Sequence, residues 1–172
     1  MTVTAQVDVR IPLDSKAFRR AMGLFPTGVA LITRGSGAET EVITANSVVS
    51  VSLDPIMVLV GVRADGRIRP RIDAAGSFAI NVLSAEQQEL SATFGRRERP
   101  RGRDAARLLG DEVDGAGNAL VDGAVFGLEC QVDVAHRAGD HVLFLARVVA
   151  VHMGEADRSP LVFHRGGYAS VA

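Results

Sequence analysis

From residue 128 to 134 the chain alternates without interruption, with Leu128, Cys130, Val132 and Val134 set against Glu129, Gln131 and Asp133. A two-residue period describes a strand with one buried and one wet face, which is the habit of antiparallel sheets. Residues 142–151 form a second long strand-like run in which Arg147 is the only charge. Shorter runs at 29–33, through Thr44, and at 78–83 share this character, and Leu161-Val162-Phe163 with Tyr168-Ala169 reads as a closing hairpin around Gly166-Gly167. Residues 56–62 are apolar throughout and read as a strand buried on both faces. About seven strands with few helices and no β-α-β rhythm point to a mainly β chain, an antiparallel barrel rather than a doubly wound sheet.

The helices expected between these strands are short. Asp14 or Ser15 caps one that carries Phe18, Met22 and Phe25 on one side, ended by Pro26-Thr27-Gly28. A second is expected at 67–74. Ser84-Ala85-Glu86-Gln87 has the form of a capping box and should start a third, running to Phe94 with Leu90 on the same face. Residues 95–117 are charged and irregular, with a short helix around 105–109.

Apolar residues make up 47% of the 172, enough for one core without staples. Residues 1–12 read as an N-terminal arm and residues 13–172 as one domain. A net charge of −1 gives no general attraction to nucleic acid or membrane. No apolar run approaches the ~20 residues of a spanning helix, and the N-terminus lacks the basic start and apolar stretch of a secretory signal. The single cysteine, Cys130, cannot form an internal disulfide and sits on the apolar side of its strand as packing. A cytoplasmic location is expected.

Residues 44–55, T-A-N-S-V-V-S-V-S-L-D-P, concentrate polar groups that are not acids or bases near neutral pH. In one uninterrupted strand, alternation would place Thr44, Asn46, Ser50 and Ser52 on a common face. Chemistry alone leaves two readings of such a face: a solvated sheet surface, or a surface that holds a polar ligand. Elsewhere the chain lacks G-x-G-x-x-G, a Walker loop, H-E-x-x-H and G-x-S-x-G. His136, His141, His152 and His164 are not spaced as metal ligands. That absence fits an enzyme whose chemistry resides in a bound cofactor.

The combination of T-A-N-S and S-V-S-L-D-P with F-P-T-G-V upstream and G-D-H downstream resembles the short-chain flavin reductase family, the reductase components of two-component flavin monooxygenases. The resemblance spans residues 18–168 and is weakest between 96 and 119. It implies a homodimeric, FMN-binding split β-barrel. The activity it implies is NAD(P)H:flavin oxidoreduction, with NADH or NADPH as donor and FMN or FAD as acceptor, and a flavin-dependent monooxygenase as possible partner. By this resemblance Thr44, Ala45, Asn46, Ser47 and Val48 contact the ring and ribityl chain, and Ser50 and Val51 continue toward the phosphate. The family's phosphate segment is serine-rich with an arginine. Here Asp65-Gly66-Arg67-Ile68 stands there, so Arg67 and the Gly66 backbone are left to serve it. Val42 likewise stands where the family has glycine.

His141, in Gly139-Asp140-His141, is placed near the nicotinamide, and read alone is equally a turn residue capping a strand. Arg165 and Gly166, in F-H-R-G-G-Y, are candidates for the dinucleotide, the alternative being an exposed hairpin turn. Phe94 is expected to line the cofactor pocket, Asn81 to be structural, and Arg63, Arg69 and Arg71 to be solvated neighbours. The six arginines at 96, 97, 99, 101, 103 and 107 read as a solvated loop or as an electropositive rim that steers an anionic dinucleotide. Two rival functions share the barrel: a non-catalytic flavin carrier or interaction subunit, and a protein holding another cofactor such as haem or a deazaflavin.

Overall fold

The computed structural model describes residues 13–171, so the arm expected at 1–12 lies outside the described residues. The chain runs α1 (Ser15–Met22), β1 (Thr27–Gly28), β2 (Ala30–Arg34), a 3-10 turn (Gly37–Glu39), β3 (Glu41–Ala45), β4 (Val48–Leu53), β5 (Ile56–Arg63), α2 (Ile68–Ala75) and β6 (Ser77–Val82). It continues with α3 (Gln88–Gly95), α4 (Arg103–Leu109), β7 (Phe126–Ala138), β8 (His141–Met153), β9 (Leu161–His164) and β10 (Gly167–Ser170). Seven strands form one antiparallel sheet in the order β3-β2-β6-β7-β8-β5-β4, and β1-β9-β10 form a small second sheet.

The strand order contains the central constraint. β3 and β4 are the two edges of the large sheet, yet only Asn46 and Ser47 separate them in sequence. Neighbouring strands lie about 4.8 Å apart, so a flat seven-stranded sheet would hold its edges much farther apart than two residues can reach. The sheet must curl until its edges nearly meet, and the result is a split barrel. Its interior is filled by one face of each strand, with Ile32, Val60, Phe78, Ile80 and Phe144 fully buried there.

A second apolar layer lies outside the barrel wall, where Leu31, Val42, Phe94, Leu109 and Leu161 pack beneath α3, α4 and the small sheet. This layer explains why β2 and β6, not the strand at 56–62, are buried on both faces. In β5 only Val58, Val60 and Val62 are buried, and Ile56 is exposed. Three further expectations are corrected. The helix ends before Pro26 as expected, but Thr27–Gly28 is itself a short strand and the expected strand at 29–33 starts at Ala30, because the chain changes sheets at Val29, whose N–H donates to Leu161 O at 3.1 Å. The helix after Ser84 begins only at Gln88, because Ser84 is held in a bridge to Pro160; of the capping box, only the Gln87 side chain accepting from Ser84 N–H at 3.0 Å is present. α1 is capped by Asp14, which accepts from Ala17 N–H at 2.7 Å, but it ends at Met22 and leaves Phe25 outside it.

Asn81 joins the layers. Its amide donates to Thr33 Oγ1 at 3.2 Å and Leu31 O at 3.4 Å, and its carbonyl accepts from Val121 N–H at 3.0 Å. Replacing it, as in Asn81→Ala, strands a buried N–H and should lower stability by about 2 kcal/mol, read as a lower urea midpoint at unchanged slope.

Candidate functional site

The expected single strand through residues 44–53 is two strands with a corner. β3 ends at Ala45, β4 starts at Val48, and the β4–β5 register shifts between Ser50 and Ser52. Thr44, Asn46, Ser50 and Ser52 therefore do not share a face, because closing the barrel turns the chain at 46–47. Thr44 Oγ1 donates to Ser91 O in α3 at 2.6 Å, so this hydroxyl docks a helix. The corner is fastened to β5: Ser47 Oγ donates to Gly61 O at 2.9 Å, and Gly61 N–H donates to Ser47 O at 3.2 Å. A Cβ on residue 61 would lie 3.2 Å from Ser47 Oγ, which is why glycine suits this position. Asn46 is exposed, and its amide makes no hydrogen bond to another of the described residues.

A cavity of about 810 Å³ opens at this corner. Its walls come from residues 43–47, from the β5–α2 connection, from the end of α3 with the arginines beyond it, and from His141. Ile43, Val62, Ile68 and Phe94 supply the apolar part. Arg63, Arg67, Arg96, Arg97 and Arg99 supply the charge, against Asp65 alone among the lining carboxylates. Arg63 is not a bare solvated neighbour: both of its prongs reach Asp65 at 2.9 Å, and the pair holds Asp65 below the usual carboxylate range. Arg69 and Arg71 point elsewhere, to Asp73 at 2.8 Å and Glu39 at 3.1 Å.

His141 opens β8 directly opposite Arg63 of β5. Its Nδ1 lies 2.8 Å from Asp140 Oδ1, and this bond holds the Asp140 carboxyl below its ordinary range. An ionised carboxylate offers only lone pairs, so Nδ1 carries the proton of the neutral ring and Nε2 is left as an acceptor.

Of the residues singled out in the sequence, Thr44, Ala45, Asn46, Ser47, Gly66, Arg67, Phe94 and His141 line this one cavity. Val48 is half-buried against the barrel core, while Ser50 and Val51 are exposed on β4 away from it. Arg165 and Gly166 lie in the β9–β10 turn with φ of 53° and 79°, where Arg165 N–H donates to Gly23 O at 2.7 Å. Gly61 was not singled out in the sequence, Asp65 was named only as part of the phosphate segment, and Arg99 only among six arginines read as a solvated loop or an electropositive rim. Arg96, Arg97 and Arg99 return to the cavity, whereas Arg107 pairs with Asp104 on α4. Arginine density was the available signal, but it could not say which of the six turn inward. A second cavity of about 470 Å³, between the 112–124 segment and the ends of β7 and β8, holds Asn81 but none of the expected site residues. Among the described residues, no group of three or more His, Cys, Asp or Glu side chains is placed to hold a metal ion. Cys130 is buried, and burial pushes its thiol up to about 12.

Residues 22–172 match the flavin reductase like domain family. Over 154 residues the chain is 53% identical to the NADH-dependent FMN reductase AsuE2 of Streptomyces nodosus subsp. asukaensis, covering 90% of this chain and 83% of that protein. Its fold superposes on the NADH:FAD oxidoreductase SgcE6 of Streptomyces globisporus C-1027 with a TM-score of 0.86 at 34% identity, covering 97% of this chain and 99% of that one. It is also similar to nitrilotriacetate monooxygenase component B from Mycobacterium thermoresistibile, with a TM-score of 0.83 at 31% identity over 91% and 86% of the two chains.

The Ser47–Gly61 contact is testable. Gly61→Ala should displace the corner at a cost of about 1 kcal/mol and weaken FMN binding, measured by quenching of flavin fluorescence, while the far-UV circular dichroism stays unchanged.

Proposed function

The chain belongs to the flavin reductase like domain family, and from that premise we propose that its split-barrel cavity binds FMN or FAD and passes it hydride from NADH. One observation carries the reading: at the split of the barrel, an uncommitted Asn46 amide and five arginines converge on one cavity with an apolar wall. The residues fit the group. The corner at 46–47 offers an amide and backbone groups to the carbonyls and nitrogens of an isoalloxazine edge, and the arginines suit its phosphate. Ile43, Val62, Ile68 and Phe94 exclude water from the ring.

When bound, the flavin supplies the hydride acceptor and NADH the donor, so the protein need not relay a proton in that half-reaction. The protein's task is placement. His141 Nε2, left as an acceptor by the Asp140 contact, takes a hydrogen bond from the nicotinamide carboxamide. Arg165 and Gly166, away from the cavity in the single chain, act on the dinucleotide's far end in this reading.

The assembly follows from the outer face of the barrel. Val49, Leu59, Leu145 and Val134 form a cross-strand row over β4, β5, β8 and β7. Around it Leu53, Ile56, Val149, Val151 and Met153 are all more than half exposed. A face this apolar suits a partner of the same kind, and a homodimer closing over it is part of the reading. A cytoplasmic location and delivery of reduced flavin to a separate monooxygenase complete it, the latter supported by likeness to a monooxygenase component. Residues 13–172 serve as the single catalytic domain. Among the described residues, no helix is long and apolar enough to cross a membrane.

Anaerobic mixing of protein, FMN and NADH should bleach the flavin absorption band, and persistence of the band would overturn the assignment. His141→Ala should raise KM for NADH about tenfold, the loss of roughly one hydrogen bond, with FMN affinity unchanged. Light scattering should give a dimer for the native chain and a monomer for Val49→Arg.

A further inference from the structure

Glu41 is almost fully buried, at 4% exposure, beside a cavity whose function calls for positive charge. It begins β3 and shares a face with Ile43 and Ala45, both of which line the cavity. Its Oε1 accepts from Arg67 Nε at 3.1 Å and lies 3.9 Å from Arg99 Nη2. A buried carboxylate in an anion site opposes the ligand unless it does something for the cations around it.

The two arginines come from unrelated parts of the chain. Arg67 stands at the start of α2 and Arg99 in the loop after α3. Arg99 is fixed further by Nε donating to Val42 O at 2.7 Å, and its side chain is only 13% exposed. Burial and the nearby Arg67 charge pull its pKa down, and Glu41 opposes them. Arg67 meets Glu41 through Nε, and its side chain is 42% exposed.

Backbone donors at this end are few. Gly66 N–H goes to Arg63 O at 2.9 Å, Arg69 N–H goes to Gly66 O at 3.1 Å, and Pro70 has none. The hydroxyls expected in this segment are absent as well. That leaves the Arg67 and Ile68 N–H groups and the surrounding guanidinium groups to hold a phosphate lodged here.

We propose that Glu41 is a positioning residue that sets Arg67 and Arg99 as a two-armed clamp for the flavin phosphate. This rests on the flavin reading above and adds to it Glu41, which the sequence did not single out, and a specific role for Arg99. Without the carboxylate, two neighbouring guanidinium charges repel and the more exposed Arg67 swings into solvent. The ring-binding corner at 46–47 is untouched by this change, so the effect is confined to ligands that carry phosphate.

Riboflavin has the ring and ribityl chain of FMN without its phosphate, and the pair isolates the clamp. Affinities for both are measured by fluorescence quenching in the native chain, in Glu41→Gln and in Arg67→Lys. Steady-state KM and kcat are measured with each flavin. Glu41→Gln should weaken FMN binding about tenfold and leave riboflavin within twofold, with KM for FMN rising and kcat held. Arg67→Lys keeps the charge, loses the fork and should show the same selective loss in a side chain not needed for the core. Equal losses on both flavins would mean that Glu41 only supports the fold, and unchanged or tighter FMN binding would mean that it sets no clamp; either result overturns the proposal. If the native chain bound neither flavin, the flavin reading would fail and the clamp with it.

Discussion

Two residues joining the opposite edges of a seven-stranded sheet leave the barrel little choice of shape. Asn46 and Ser47 bridge β3 to β4, and the reciprocal Ser47–Gly61 hydrogen bonds lock that bridge against β5. Because the edges approach without fully pairing, the wall stays open at one place, and backbone polar groups there are not consumed by a ladder. Closure of the fold and exposure of polar groups at the mouth of the cavity are thus one event. The cavity's apolar wall continues the packing of both cores, since Ile68 belongs to the barrel interior and Phe94 to the layer beneath α3 and α4.

The electrostatics of the site follow from the same geometry. Loops on either side of the split bring arginines from the β5–α2 connection and from the segment after α3 to one place. Three of the five are held by specific partners: Arg63 by Asp65, Arg67 by Glu41, and Arg99 by Val42 O. Held guanidinium groups lose less entropy on meeting an anion than free ones. The acid–base inventory is sparse by comparison. His141, with its tautomer set by Asp140, is the lining side chain equipped to accept a hydrogen bond at a ring nitrogen. Sparse catalytic machinery is what redox chemistry carried by a guest requires of its host.

A single chain leaves the outside of β4, β5, β7 and β8 apolar, although a monomer would gain from polar residues there. The alternation in β8 explains how this arises. Phe144 and Ala146 fill the barrel while Val149, Val151 and Met153 lie exposed beyond it, so a long strand of nearly continuous apolar sequence serves two surfaces. The run at 56–62 is built the same way: it reads as a strand buried on both faces, and the chain buries only one of them.

Short-range pattern determined a good deal. The strict alternation at 128–134, the apolar run at 142–151, the turn around Gly166-Gly167, and the lack of β-α-β order were sufficient for an antiparallel barrel, because strand periodicity and turn chemistry act within a few residues. The T-A-N-S and G-D-H segments, through the resemblance they carry, singled out residues 44–47 and His141, which the fold brings to one cavity. Other facts belong to the tertiary structure alone. The break of one polar strand into β3 and β4, the diversion of Thr44 to Ser91, the burial of Glu41 under Arg67 and Arg99, and the inward turn of three arginines among six depend on contacts between residues 26 to 58 positions apart or on loop paths. Local sequence sets what a side chain can do, and only closure of the sheet decides which groups it meets.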